Sequence, residues 1–267
     1  MITIFHTMKN LYTTPIAVFC AGISSLTTVT AQDALPRDIN EILDDELYAA
    51  SMREKAIQEE KGGVGFEALT SWRSEYVYRG FSLASSSMEF QLAAQIALSD
   101  TDSIDAGIYY GSETGRGSFS ELTGFLDYSR VLGKFTYSGK LAYREYGESF
   151  FKSGMDLGLS VGYQINEAFD VTGKVSYDSG ADGFYVESKV SYYEEVNSDS
   201  YFVWDVGISA VGDYYDRDGI HHAFSKMAYT YNINDTVSVS PYVSGVLGIH
   251  EDVKNHLFGG VYFAVNF

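Results

Sequence analysis

From about Gly63 to Phe267 the chain alternates apolar and polar residues with a period of two. That period puts successive side chains on opposite faces of a strand, so each run meets an apolar phase on one side and a polar phase on the other. Between positions 169 and 178, Phe169, Val171, Gly173, Val175 and Tyr177 share one face. Asp170, Thr172, Lys174, Ser176 and Asp178 share the other. Met155, Leu157, Leu159, Val161, Tyr163 and Ile165 stand in the same way against Asp156, Gly158, Ser160, Gly162 and Gln164. The C-terminal run ends on an outward Val265 and Phe267, a terminal aromatic typical of bacterial outer-membrane proteins. Twelve runs begin near Phe66, Met88, Ile104, Glu121, Lys134, Met155, Phe169, Phe184, Tyr201, Ala223, Val237 and Leu257. At roughly 9–13 residues, each has the length a tilted strand needs to cross a bilayer.

The connections alternate as well. Ser99–Asp102, Val131–Lys134, Asn166–Ala168 and Asn232–Asp235 read as tight turns, with Glu194–Ser200 somewhat longer. Longer links lie between them at Gly111–Phe119, Tyr146–Gly154, Gly212–His222 and His250–His256. Short turns on the periplasmic side and long loops outside are the habit of outer-membrane barrels, and an even strand count puts both termini inside. Outward aromatics collect at strand ends. Tyr128, Phe135, Tyr163, Phe169, Tyr192, Phe202, Tyr231 and Phe267 form a periplasmic girdle; Tyr78, Tyr110, Tyr143, Tyr177 and Phe184 form an external one.

Composition removes the competing classes. Eighteen Lys+Arg against 36 Asp+Glu give a charge of −18, the wrong sign for a chain that must displace counterions from phosphates. Aromatics at 15% exclude disorder, and a mean hydropathy of −0.09 excludes a bundle of membrane-spanning helices.

Positions 1–31 read as a cleaved secretory signal: Lys9, a short apolar run from Pro15 to Leu26, then Val29-Thr30-Ala31 with small residues where signal peptidase cuts. Bulky Phe19 beside Cys20 argues against a lipid anchor there, and Cys20 is the chain's one cysteine. Positions 32–62 read as a periplasmic linker with an amphipathic helix. Ile39, Ile42, Leu43, Leu47 and Ala50 recur at helical spacing, Asp38 caps the start and Gly62-Gly63 stops it. It is a lead-in to the barrel at 63–267, or else it plugs the pore or meets a copy of itself in a homo-oligomer.

The polar faces carry charges at mid-strand, which a sandwich core would not tolerate unpaired but a water-filled lumen would. The candidate lumen and selectivity residues are Arg73, Glu75, Arg79, Lys140, Arg144, Asp156, Asp170, Lys174, Glu187 and Asp205. Further inward acids at Glu67, Glu89, Asp105, Glu121 and Asp127 give a modest negative excess over the bases, to which Lys189 and Lys226 also belong. In the first strand Tyr76 and Tyr78 face lipid, so that Arg73, Glu75 and Arg79 point inward together.

That strand reads Ser74-Glu75-Tyr76-Val77-Tyr78-Arg79-Gly80-Phe81-Ser82. It resembles the S-x-Y-x-x-R-G-x-S stretch of the TorF-type porins, and the runs at Met88–Leu98 and Ile104–Tyr110 resemble that family's continuation. The family usually has a Gln soon after the Ser, where this chain has Leu83-Ala84. The resemblance implies an outer-membrane channel without an assigned solute.

His221, His222, His250 and His256 fall in neighbouring external loops with Asp213, Asp216, Asp218, Glu251 and Asp252, where oxygen and imidazole ligands could converge on a metal. No spacing singles out a nucleophile and its base, so no enzyme is expected, and no cofactor. The expectation is therefore an all-β, single transmembrane antiparallel barrel of about twelve strands. Its partners are outer-membrane lipid and small hydrophilic solutes, with no nucleic acid. The rivals are a structural or adhesive barrel with a closed lumen and a metal-binding surface barrel.

Overall fold

In the computed structural model, which describes residues 63–267, the alternating runs become the staves of a barrel. The strands are β1 (Val64–Arg73), β2 (Tyr76–Tyr78), β3 (Phe81–Ala84), β4 (Ser87–Ala97), β5 (Asp102–Glu113), β6 (Ser120–Leu132), β7 (Phe135–Gly147), β8 (Gly154–Asn166), β9 (Phe169–Asp178), β10 (Gly183–Asn197), β11 (Ser200–Gly212), β12 (Gly219–Asn234), β13 (Val237–Gly248) and β14 (His256–Asn266). All but β2 and β3 form one closed antiparallel barrel of twelve strands, each beside its neighbour in sequence. The signal segment and the amphipathic helix expected before Gly63 lie outside the described residues.

Closure is made by β1, which pairs with β4 through Leu69↔Gln91 and with β14 through Leu69↔Ala264. The C-terminal aromatic finishes the seam. Phe66 and Phe267 exchange backbone hydrogen bonds in both directions, at 2.8 and 2.9 Å, and their rings stack at 6.1 Å. A closed sheet has no edge, so every backbone donor in the wall finds an acceptor without water.

The wall has the two faces its period demands. On β8, Leu159 is 67% exposed while Ser160 beside it is 5% exposed. Phe90, Ile108, Leu126, Val161, Val175, Val186, Val206 and Met227 share the outer face with Leu159. An apolar band of this extent meets acyl chains rather than water. Its rims carry rings in contact: Phe135 with Tyr163 at 4.9 Å and Phe169 with Tyr192 at 4.9 Å on the periplasmic side, and Tyr177 with Phe184 at 5.2 Å outside.

Bare turns at 133–134, 167–168, 198–199 and 235–236 occupy one end, together with 98–101. The link expected at Glu194–Ser200 is shorter than read, because β10 runs on to Asn197 past a bulge between Glu195 and Asn197. Glu194 and Glu195 lie at the rim in water, so their charge ends the apolar face without ending the strand.

The larger correction concerns the first strand. Wall pairing stops at Arg73, opposite Ser87 and Gly260. Ser74 keeps one last hold on β14, donating its N–H to Gly259 O at 2.8 Å, and then the chain leaves the wall. Tyr76–Ala84 folds back as the β2–β3 hairpin, with Tyr78 opposite Phe81. Tyr76 and Tyr78 do not face lipid. They are 4% and 2% exposed, buried at the external end of the barrel with Phe81, Phe119, Phe151 and Tyr214. The turn has φ of +48° at Arg79 and +81° at Gly80, the two positive values of a tight hairpin whose twist matches its strands.

Candidate functional site in the barrel lumen

The residues of the hairpin are tied across the lumen one by one. Tyr76 Oη donates to Glu121 Oε2 at 2.6 Å, and Tyr78 Oη donates to Asp156 Oδ2 at 3.3 Å. At the tip, Arg79 Nη2 donates to Asp156 Oδ2 at 2.5 Å and to Ser176 Oγ at 2.9 Å. Its other nitrogen, Nη1, reaches Tyr214 Oη at 3.1 Å and Asp178 Oδ2 at 3.5 Å. Tyr78, Tyr185 and Tyr214 surround the guanidinium at 5.0, 4.8 and 5.5 Å from their ring centroids. Burial pushes the Tyr214 phenol up from its ordinary pKa, so it stays protonated and donates to Asp178 Oδ2 at 3.0 Å.

The charges on the wall continue this network. Arg144, on β7, donates to Glu121 Oε1 at 3.0 Å and lies 3.6 Å from Asp156. Arg73, at the end of β1, grips Glu89 at 2.5 and 2.8 Å, and Ser71 and Ser87 donate to the same carboxylate. The external half thus carries two linked sets, Arg73 with Glu89, and Glu121, Arg144, Asp156, Arg79 and Asp178 in an alternating chain. Lower down, Lys140 faces Asp127 at 3.7 Å and Lys189 faces Asp205 at 3.7 Å. Lys174 stands opposite Glu187 in register, and Glu187 accepts from Tyr185 Oη at 2.8 Å. Asp170 faces inward opposite Ser191 on the periplasmic half.

Glu75 belongs to the base of the hairpin rather than to a wall strand. It accepts from Ser82 Oγ at 2.6 Å and from His256 Nδ1 at 2.8 Å. A cavity of about 70 Å³ lies between the hairpin and β12–β14, lined by Arg73, Arg79, Glu187, Lys226, Tyr242 and Tyr262 among others.

Three of the four histidines among the described residues are not in loops, and His256 opens β14. His221 and His222 sit on β12, 0% and 3% exposed, under the turn of the hairpin. A bulge on the β11 side of this strand lets both rings turn into the lumen, which strict alternation forbids. His250 is in the following loop near Asp252, and His256 is committed to Glu75. Among the described residues no group of three or more His, Cys, Asp or Glu side chains is placed to hold a metal ion.

Periodicity turned the charges of the wall strands inward, but it set Glu75 and Arg79 on the wall rather than on the hairpin, and it missed Tyr76, Tyr78 and Tyr214 beside them. The signal for the first two was Gly80, seven residues after the last wall pair of β1 at Arg73.

No protein-family model and no curated protein sequence matches this chain. Solved structures do. An outer-membrane channel from Pseudomonas putida F1 superposes with a TM-score of 0.54 at 9% identity, covering 78% of this chain and 97% of that one. The KdgM porin gives 0.51 at 7% identity over 76% and 99%. The translocator domain of the autotransporter NalP from Neisseria meningitidis gives 0.52 at 12% identity over 81% and 94%. The shared fold is the outer-membrane barrel. At these identities the likeness extends to the fold and to no residue of the lumen.

Proposed function

We propose that the chain is an outer-membrane channel through which small hydrophilic solutes diffuse passively, narrow and weakly cation-selective. The observation that carries this reading is a closed wall, apolar outside and charged inside, whose external end holds a hairpin of its own first loop. Barrels of eight strands are filled by side chains and those of sixteen are open, so twelve strands and an inward hairpin fit a narrow path. The fold of the Pseudomonas putida channel and of KdgM supports the outer-membrane location. The likeness of Ser74–Ser82 to the TorF-type porins supports the same reading, and each signature residue of that stretch has a task in the hairpin or at its base.

A second reading is a structural barrel whose lumen is closed. It is favoured by the ion pairs of Arg79 with Asp156 and Asp178 and by the aromatic cluster around them. Planar-bilayer recording of the refolded protein separates the two. The channel conducts, and replacing Tyr76–Ala84 by a Gly-Ser linker raises its unit conductance severalfold. Silence from both proteins would establish the structural reading.

A further inference from the structure

We propose that the β2–β3 hairpin is a gate released by acid, with the buried His221–His222 pair as its latch. The inference rests on the channel reading for its consequence, but the movement itself can be measured separately.

The positions of the protons follow from the contacts. Arg217 Nη1 lies 3.4 Å from His221 Nε2, and a guanidinium only donates, so this imidazole nitrogen is the acceptor. The proton of His221 is then on Nδ1, which lies 2.9 Å from His222 Nδ1 and donates to it. His222 Nδ1 also lies 2.8 Å from Ser209 Oγ. Both rings are neutral in this arrangement. A further proton must go onto His221 Nε2, against a guanidinium, or onto His222 Nδ1, against the N–H of His221. Neither site accepts one without the contact breaking.

The same rings hold the hairpin tip. A Cβ at Gly80 would come within 2.6 Å of His222 Nδ1 and 3.1 Å of His221 Cε1, so the turn rests directly on both imidazoles. Phe81 packs against both the His221 ring, at 5.3 Å, and the Arg217 guanidinium, at 4.2 Å. The charged and titratable groups facing the pair are Arg79 on the hairpin, Arg217 and His250 from the loops, Tyr185 and Glu187 on β10, and Lys226 on β12. The guanidinium of Arg217 is in direct contact with His221 Nε2, at 3.4 Å, so positive charge added there is repelled. The hairpin base is tied separately, by His256 Nδ1 on Glu75 at 2.8 Å and by the Ser74 N–H on Gly259 O at 2.8 Å. Acid therefore loosens the tip, and the hairpin swings about Ser74–Glu75.

Because the closed form resists protonation, opening should centre below the ordinary imidazole value of about 6.5. Each proton taken up only by the open form raises the open-to-closed ratio by up to about tenfold per pH unit. The test uses the full chain refolded in vesicles, with Cys20→Ser and Val77→Cys. External maleimide labelling is followed from pH 7.5 to 4.5 and normalised to an exposed Glu148→Cys control; conductance is recorded in parallel. Labelling at Val77→Cys should rise by at least about tenfold as the pH falls. His221→Gln with His222→Gln should abolish the rise. Gly80→Ala, which pushes the tip off the rings, should label at pH 7.5 as the parent does in acid. Labelling that ignores pH, or a rise that survives the double substitution, overturns the gate. A pH-dependent rise in labelling without conductance at any pH upholds the gate and overturns the channel reading.

Discussion

Arg79 shows how one side chain fixes a structure that spans the lumen. Its two guanidinium nitrogens reach Asp156, Asp178, Ser176 and Tyr214, on three separate elements of the chain. A buried pair adds little when intact but costs about 3–5 kcal/mol when one partner is removed, because the other charge stays buried alone. Asp156 keeps Arg144 and Asp178 keeps Tyr214, so Arg79→Met should fall at the lower end, near about 3 kcal/mol. Arg79→Lys keeps the charge and loses the fork, for about 1–2 kcal/mol. Urea unfolding in phospholipid vesicles measures both, and equal losses would mean that charge matters and geometry does not. On the outer face, Val161→Arg and Val175→Arg should each cost about 2–4 kcal/mol, since a charge at the bilayer midplane has no water. Ser176→Arg, one position along from Val175, sets a second cation beside Arg79 and should also destabilise the fold. Unimpaired folding of Val161→Arg would place the strand register one residue out.

Among the elements, the hairpin and the terminal seam depend on different forces. The hairpin has no wall partner and is held by side chains alone, through tyrosine hydroxyls, one arginine and packed rings such as Phe81 on Phe151 at 5.2 Å. It is therefore the part of the molecule that can move without breaking the ladder. The seam between β1 and β14 is held by backbone bonds and ends on the Phe66–Phe267 pair. Deleting Phe267 removes two hydrogen bonds and one ring contact, and should lower stability by about 1–3 kcal/mol. The band shift of folded against unfolded barrel on a cold gel, followed through a urea series, reads this directly. No change would show that β1 and β14 close without their last pair.

The molecule as a whole is a low-dielectric wall around a charged interior, and permeation through the proposed channel would follow the charge left after pairing. The inward acids exceed the inward bases, and carboxylates along a narrow wall favour cations. A reversal potential under a salt gradient should report weak cation preference, fading toward 1 M salt where the screening length is about 3 Å. Arg73, Arg79 and Arg144 lie in the external half with Lys140 below them, each paired with an acid, and an acidic solute would compete for these bases. An anion-selective reading abolished by Lys140→Glu with Arg144→Glu would replace the cation preference with that alternative.

The sequence by itself determined the wall. A strand in a barrel answers only to its own alternation and to the two media on either side. Phe169–Asp178 or Gly154–Asn166 could therefore be read without knowing their neighbours, down to which charges turn inward. Only the tertiary structure decided where Tyr76 and Tyr78 go. Ser74–Ser82 alternates just as a wall strand does, and the difference lies in what it can pair with: β4 reaches no further than Ser87, opposite Arg73, so after Ser74 the chain bonds to itself and to Glu121, Asp156 and Asp178 far along the chain. His221 and His222 changed place for the same kind of reason. Their burial follows from a bulge against β11 and from a hairpin that begins more than a hundred residues earlier, and no local pattern carries either contact.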